Sequence, residues 1–260
     1  MLVIPFSITA PQLETNPNIF QIWQNPEELN EITSRRFTDW FKGYHTVIVD
    51  CSDPDSKKGA FTAVLRKDLE KRKSKYSITS MASPDNSFAS AFSTQNPNVV
   101  VLNTARTSDI DAIFARLKRV YELKPSVKIS VFGYTEWLEH AATKSNAFHK
   151  YDVYIPTPHY YGLSPAQSRI MEQKYRSNFN SSMYAYSPPL AFTGFDHALF
   201  FLRGLHKYGS SFDGAEGRFG YKPIQAPLKF QKTGKNGGRK NKAYIFVHFK
   251  PNGMIDTINY

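Results

Sequence analysis

One cysteine, Cys51, stands in 260 residues, so no disulfide closes within this sequence and no cysteine-based metal centre can be assembled from it. Long apolar runs are missing too. Residues 2–6 (LVIPF) are too short for the apolar region of a signal peptide and have neither a basic flank nor a cleavage site. No later run approaches the roughly 18–20 residues of a membrane span. There is no G-x-S-x-G elbow, no P-loop and no G-x-G-x-x-G, and the seven histidines never fall at an H-x-x-x-H spacing. Asp50, Asp53, Asp55 and Glu136 are acids that could pair in space, but acids after strands also cap helices. These absences argue against an enzyme and against a bound metal or cofactor.

Acidic residues are also missing from a long stretch. Between Glu216 and Asp256 there is none, while nine lysines and arginines fall there, so much of the net charge of +11 is a C-terminal feature. Charge of this kind admits a nucleic-acid reading, with Lys235, Arg239, Lys240 and Lys242 on a hairpin tip and Tyr244 and Phe246 nearby. Those aromatics alternate as strand core residues do, so no specific nucleic-acid partner is expected. A second basic cluster, at 66–75, has Asp68 and Glu70 interleaved and reads as the solvated face of a helix.

At 41% hydrophobic, the chain has enough apolar residues for a large core or two lobes. Strand-like runs alternate with amphipathic stretches up to about residue 210, the pattern of a parallel sheet with helical crossovers. The expected strands are 2–6, 45–50 (HTVIVD), 76–81 (YSITSM), 98–103 (NVVVLN), 127–132 (VKISVF) and 152–155. Asn25-Pro26-Glu27-Glu28 signals a helix start, residues 60–71 carry a helical stripe, and a short helix falls near 87–93. Ser108 is placed as the cap of a helix whose stripe is Ile110, Ile113, Phe114, Leu117, Val120 and Tyr121. Pro156-Thr157-Pro158 ends the last of these strands as a hinge, and helices follow at 164–179 and 194–208.

The last 35 residues change character: runs at 228–232, 244–249 and 254–258, with turns at Gly237-Gly238 and Asn252-Gly253, predict a three-strand antiparallel meander. The fold class is therefore α/β. A complete doubly wound, Rossmann-like lobe spans 14–155, residues 1–13 with 156–225 form an incomplete second α/β lobe, and 226–260 supply C-terminal strands bridging the lobes.

In open α/β sheets ligands sit beyond the carboxyl ends of the strands. Those positions hold Ser7 and Thr9, residues 51–53, Asn103 and Thr104, Tyr134, Thr135, Glu136 and Trp137, and Tyr160 and Tyr161. Hydroxyls, amides and aromatics predominate, a set that orients a small polar ligand without reacting with it. Each also has a plainer role open to it: Ser7 and Thr9 as caps before Ala10-Pro11, Tyr134 and Trp137 as core, and Tyr160 and Tyr161 as hinge packing.

Residues 4–13 (IPFSITAPQL) followed by Pro17-Asn18-Ile19-Phe20 resemble the segment of leucine/isoleucine/valine-binding-type proteins, of the type I periplasmic-binding-protein fold, that ends the first lobe and enters the second. Later pieces agree in order. They are V-I-V-D with a D-x-x-x-x-x-G loop, P-N-V-V-V-L, F-G-Y-T-E-W, D-V-Y-I-P-T-P-H-Y-Y, a Y-x-x-x-F helix, F-T-G-F-D, G-G-R-K-N-K-A-Y and F-K-P-N-G. The chain also resembles Bacteroidetes envelope proteins in which such a module follows peptidoglycan-binding LysM repeats.

The resemblance implies a two-lobed, non-catalytic solute-binding or sensor module of the periplasm or cell envelope, with the N-terminal part of its first lobe absent. It implies that Ser7 and Thr9 meet a ligand carboxylate and that the loop of Tyr134, Thr135 and Glu136 supplies an acid for a ligand amino group. The partner is then a small polar ligand, an amino acid or a cell-wall fragment. The aromatic that the family places near Asn103-Thr104-Ala105 is absent. That departure supports the alternative, a structural envelope protein associated with peptidoglycan whose pocket has degenerated.

Overall fold

The structure, a computed structural model, describes residues 1–5, 7–184, 188–214 and 220–259. In chain order the elements are β1 (Leu2–Ile4), α1 (Ala10–Thr15), β2 (Ile19–Gln21), α2 (Pro26–Trp40), β3 (His45–Asp50), α3 (Lys58–Lys71), β4 (Tyr76–Ser80) and α4 (Asp85–Ser90). They continue as β5 (Asn98–Leu102), α5 (Thr107–Leu123), β6 (Ile129–Phe132), α6 (Ser145–Lys150), β7 (Val153–Thr157), α7 (Pro165–Phe179) and α8 (Leu190–Tyr208). Four strands follow: β8 (Phe230–Lys232), β9 (Arg239–Asn241), β10 (Ile245–Phe249) and β11 (Ile255–Asn259). Phe6, the last residue of the first expected strand, lies outside the described residues.

The chain divides into two compact units. One comprises Met1–Asn25, Thr157–Ile245 and Thr257–Tyr260; the other comprises Pro26–Pro156 and Phe246–Asp256. The second unit carries a seven-stranded sheet in the order β11-β10-β7-β6-β5-β3-β4. β3 pairs in parallel with β4 and β5, β5 with β6, and β6 with β7. Renumbered along the chain, these five strands run 2-1-3-4-5, so the strand order reverses between β3 and β5. Their sequences are runs of valine and isoleucine because a parallel sheet is covered on both faces: Val47, Val49, Val99, Val100, Val101, Val131 and Val153 are each fully buried.

The ring of Phe132 at the end of β6 organises one side of this core. It meets Phe37 of α2 edge-on at 4.9 Å, stacks on Phe61 of α3 at 5.9 Å and meets Phe246 of β10 edge-on at 5.8 Å. The helical stripe of α5 is buried as its spacing requires, with Ile110, Ile113, Phe114, Leu117 and Val120 all inside. The start of α5 differs from expectation, since Arg106 is the flanking residue and Ser108 lies in the first turn. The hydroxyl of Thr104 accepts the Arg106 N–H at 3.1 Å and fixes the chain two residues before the expected cap. β7 also runs through Pro156 to Thr157 rather than stopping before the proline. Proline costs the strand one donor only, and the Pro156 carbonyl accepts the Thr135 hydroxyl at 2.9 Å.

The other unit has a four-stranded sheet in the order β1-β2-β9-β8, parallel across β1, β2 and β9 and antiparallel between β8 and β9. Phe20, Phe200, Phe201, Phe212, Tyr221 and Leu228 form its core. Gly204 lets α8 approach: a Cβ there would lie 2.2 Å from Cε2 of Phe212. Asp196, also on α8 and fully buried, accepts the backbone N–H groups of Ile224, Gln225 and Ala226 at 2.7–2.8 Å, which ties the loop before β8 to the helix. Burial raises the pKa of its carboxyl, and those three N–H groups oppose the rise.

The single C-terminal meander expected from the sequence is replaced by two pieces. β8 pairs with β9, a strand the pattern did not announce, while β10 and β11 join the seven-stranded sheet. The physical cause is in the composition. β8 (FQK) suits the polar edge it occupies and β9 (RKN) pairs beside it, whereas β10 (IFVHF) is buried along its whole length and needs a covered sheet.

Candidate ligand-binding site

An open depression of about 780 Å³ lies at the carboxyl ends of β3 and β5, where the strand order reverses. It is lined by the loop after β3 (Asp53, Asp55, Ser56, Lys57, Lys58), the loop after β5 (Thr104 to Thr107), Glu136 after β6, and Pro26 and Asn30 of α2. All of these belong to one compact unit.

The two central loops are cross-linked by side chains. Asn103 donates to the Asp50 carboxylate at 2.8 Å and accepts the Cys51 N–H at 2.8 Å through its own carbonyl oxygen. Ser52, in the left-handed region at φ 51°, donates its N–H to the same Asp50 oxygen at 3.0 Å. The Ser52 N–H and the Asn103 amide hold the Asp50 carboxyl below its ordinary pKa. Ser56 donates its hydroxyl to the Asn103 carbonyl at 2.8 Å, and Thr104 donates to Asp53. Arg106 grips Asp109 through two nitrogens at 2.8 and 3.2 Å. A rim built this way is ordered before any ligand arrives, the condition for recognition at low entropic cost.

Lys58 crosses the depression's edge. Its ammonium donates to Glu136 Oε1 at 2.7 Å and sits 4.8 Å above the ring of Tyr134. Tyr134 is buried, and its hydroxyl donates to the Leu102 carbonyl. Cys51, also buried, has its thiol pKa raised to about 12 by burial and by Asp109 and Asp50, so it stays protonated at neutral pH. Among the described residues no group of three histidine, cysteine or acidic side chains could hold a metal ion, and no helix is long and apolar enough to cross a membrane.

Of the residues singled out from the sequence, Thr104 and Glu136 line the depression. Asn103 stands behind it as the cross-link, Tyr134 supplies the aromatic face beneath Lys58, and Thr135 is engaged with Pro156. Ser7, Thr9 and Tyr160 belong to the other unit. Ser7 is exposed, and Thr9 precedes α1, where its N–H and hydroxyl both donate to Gln12 Oε1 at 3.3 and 2.9 Å. Tyr160 donates its N–H to the Gln225 carbonyl at 2.9 Å. Sequence reasoning missed Lys58, Asn30 and Arg106 as lining groups. The D-x-x-x-x-x-G spacing marked the Lys58 loop, but nothing in a linear pattern announces a pairing with Glu136, 78 residues away.

No family profile and no curated protein matches the chain. Its fold is that of solved solute-binding proteins. A branched-chain amino acid ABC transporter protein from Thermus thermophilus, with bound valine, superposes with a TM-score of 0.52 at 15% identity, over 92% of this chain and 66% of that one. An ABC transporter substrate-binding protein from Desulfitobacterium hafniense in complex with Leu gives 0.51 at 9% identity, over 92% and 67%. A substrate-binding periplasmic protein from Ralstonia solanacearum gives 0.53 at 8% identity, over 99% and 73%. The chain thus spans about two-thirds to three-quarters of the length of these structures.

Proposed function

We propose that this chain is a non-catalytic solute-binding or sensor module of the periplasm or cell envelope that takes a small polar ligand, an amino acid or a cell-wall fragment. The observation that carries the reading is the position of the depression: it opens where the strand order reverses, and its rim is already ordered by hydrogen bonds. In this reading Thr104 and Glu136 meet the ligand at the depression, and Ser7, Thr9, Thr135 and Tyr160 are proposed as further contacts.

The test is calorimetric titration with amino acids and muropeptides against the wild type and against Ser7→Ala and Thr9→Ala. Each substitution is expected to weaken binding by about 1–3 kcal/mol, the cost of unpairing a buried polar contact, without unfolding the protein. A lower melting temperature with binding untouched would instead make these residues helix caps, the role toward which the Thr9–Gln12 bonds lean.

A second reading, a structural envelope protein that holds anionic cell-wall polymer, is favoured by the acid-free basic stretch between Glu216 and Asp256. It predicts salt-sensitive binding to peptidoglycan sacculi and none to small solutes.

A further inference from the structure

Several of the charged groups around the depression are already engaged by neighbouring side chains. Glu136 is paired with Lys58 and Arg106 with Asp109, while Asp53 accepts the Thr104 hydroxyl. The Lys58 arrangement differs from an ordinary surface ion pair in having two partners for one cation. A carboxylate at 2.7 Å and an aromatic face at 4.8 Å are the two elements from which a protein builds a niche for a ligand's ammonium group. Here the niche is filled from within, by the protein's own ammonium.

The niche is also held in place. Tyr134 cannot swing away, because its ring is buried and its hydroxyl is tied to the backbone of β5 at Leu102. Lys58 leaves the first turn of α3, whose entry is fixed by the Ser56 hydroxyl accepting the Lys58 N–H at 3.1 Å. The Lys58 side chain is 27% exposed and that of Glu136 52%, so the pair borders the depression rather than lying beneath it. A bound ligand that excludes water lowers the local dielectric and strengthens the pair.

We propose that Lys58 is a specificity-determining residue which, by occupying the acidic and aromatic niche of Glu136 and Tyr134, turns this wall against ligands that present an ammonium group and toward acids or polyols that lack one. The inference rests on the binding reading above. A ligand ammonium entering the niche must displace Lys58 and leave one of two cations without its partner. A hydroxyl in the same position can accept from Lys58 while the ion pair stays intact.

The test uses matched probes: valine against 2-hydroxyisovalerate, leucine against 2-hydroxyisocaproate, and phenylalanine against 3-phenyllactate. Within each pair the two differ only by ammonium or hydroxyl on the α-carbon. Titration calorimetry is run on the wild type, Lys58→Met and Lys58→Arg. The wild type is expected to prefer the hydroxy acid by about tenfold, roughly the effect of one unpaired charge contact. Lys58→Met should erase or reverse that preference by gaining affinity for the amino acid, and Lys58→Arg, which keeps the cation, should retain it. A wild type that prefers the amino acid, or a ratio unchanged in Lys58→Met, overturns the inference and leaves the binding reading standing. Failure of all three proteins to bind any probe overturns the inference, and the binding reading falls with it when the muropeptides also fail to bind.

Discussion

The two units solve the same problem by different means. The seven-stranded unit rests on strands buried along most of their length: Val47, Val99, Val131 and Phe132 lie inside, beside the buried polar residues Thr46, Asn98 and Ser130, and its large exposed apolar side chains, such as Ile78 and Leu123, lie on separate elements. In the four-stranded unit every strand has only three residues. It depends on an aromatic cluster and on one buried carboxylate, Asp196, that organises a loop. Its exposed apolar residues share elements: Leu190, Phe195, Leu202 and Leu205 all lie on α8, and Ile170 and Phe179 on α7. Longer strands buried on both faces carry the larger sheet with polar groups such as Ser130 and Asp152 as additions, while three-residue strands lean more heavily on their aromatic cluster and the Asp196 anchor.

Phe132→Ala should break the first arrangement most severely. Loss of a ring packed against α2, α3 and β10 is expected to cost about 3–5 kcal/mol in urea unfolding. Asp196→Ala tests the polar anchor. It strands three buried N–H groups and should cost at least ~3 kcal/mol, given about 1–3 kcal/mol for each unsatisfied group. A loss under 1 kcal/mol would show that the loop at 224–226 is held by its apolar neighbours instead.

Gly204→Ala places a methyl group against the Phe212 ring and should cost about 1–3 kcal/mol by overpacking, with the change read from the same unfolding curves. Asp152 supplies a smaller, pH-dependent effect. Burial pushes its carboxyl pKa up, but the His248 and Ser130 hydrogen bonds and the His248 charge outweigh burial, so its pKa lies below the ordinary value. A depressed carboxyl contributes stability above its unfolded-state pKa, near 4, and loses it as pH falls through the lower folded-state value. The advantage of the wild type over Asp152→Asn should therefore be constant at neutral pH and shrink below about pH 4. An advantage that grew with acid would have the wrong sign.

The same contrast explains how much could be read from the sequence. HTVIVD, NVVVL and the α5 stripe announced the parallel strands and their crossovers because their burial is periodic or continuous. β2 and β9 were not announced: IFQ and RKN have no pattern of their own and become strands only by pairing with β1 and β8. The C-terminal strands were visible as strands, but their division between two sheets depends on partners that sequence spacing does not contain. At the candidate site, the rule that ligands lie beyond strand ends located Thr104 and Glu136. It did not locate Lys58, because the partner that gives that lysine its meaning comes from another loop.

The proposed binding of a small solute at the carboxyl ends of β3 and β5 can be tested residue by residue. The most direct measurement is a two-dimensional amide NMR titration of the whole chain with valine and 2-hydroxyisovalerate. Saturable shifts concentrated at residues 52–58, 104–107 and 135–136, with weaker ones at 7–9 and 160, are expected. Shifts confined to the basic hairpin at 229–242, or no saturable shift with either probe, would contradict it.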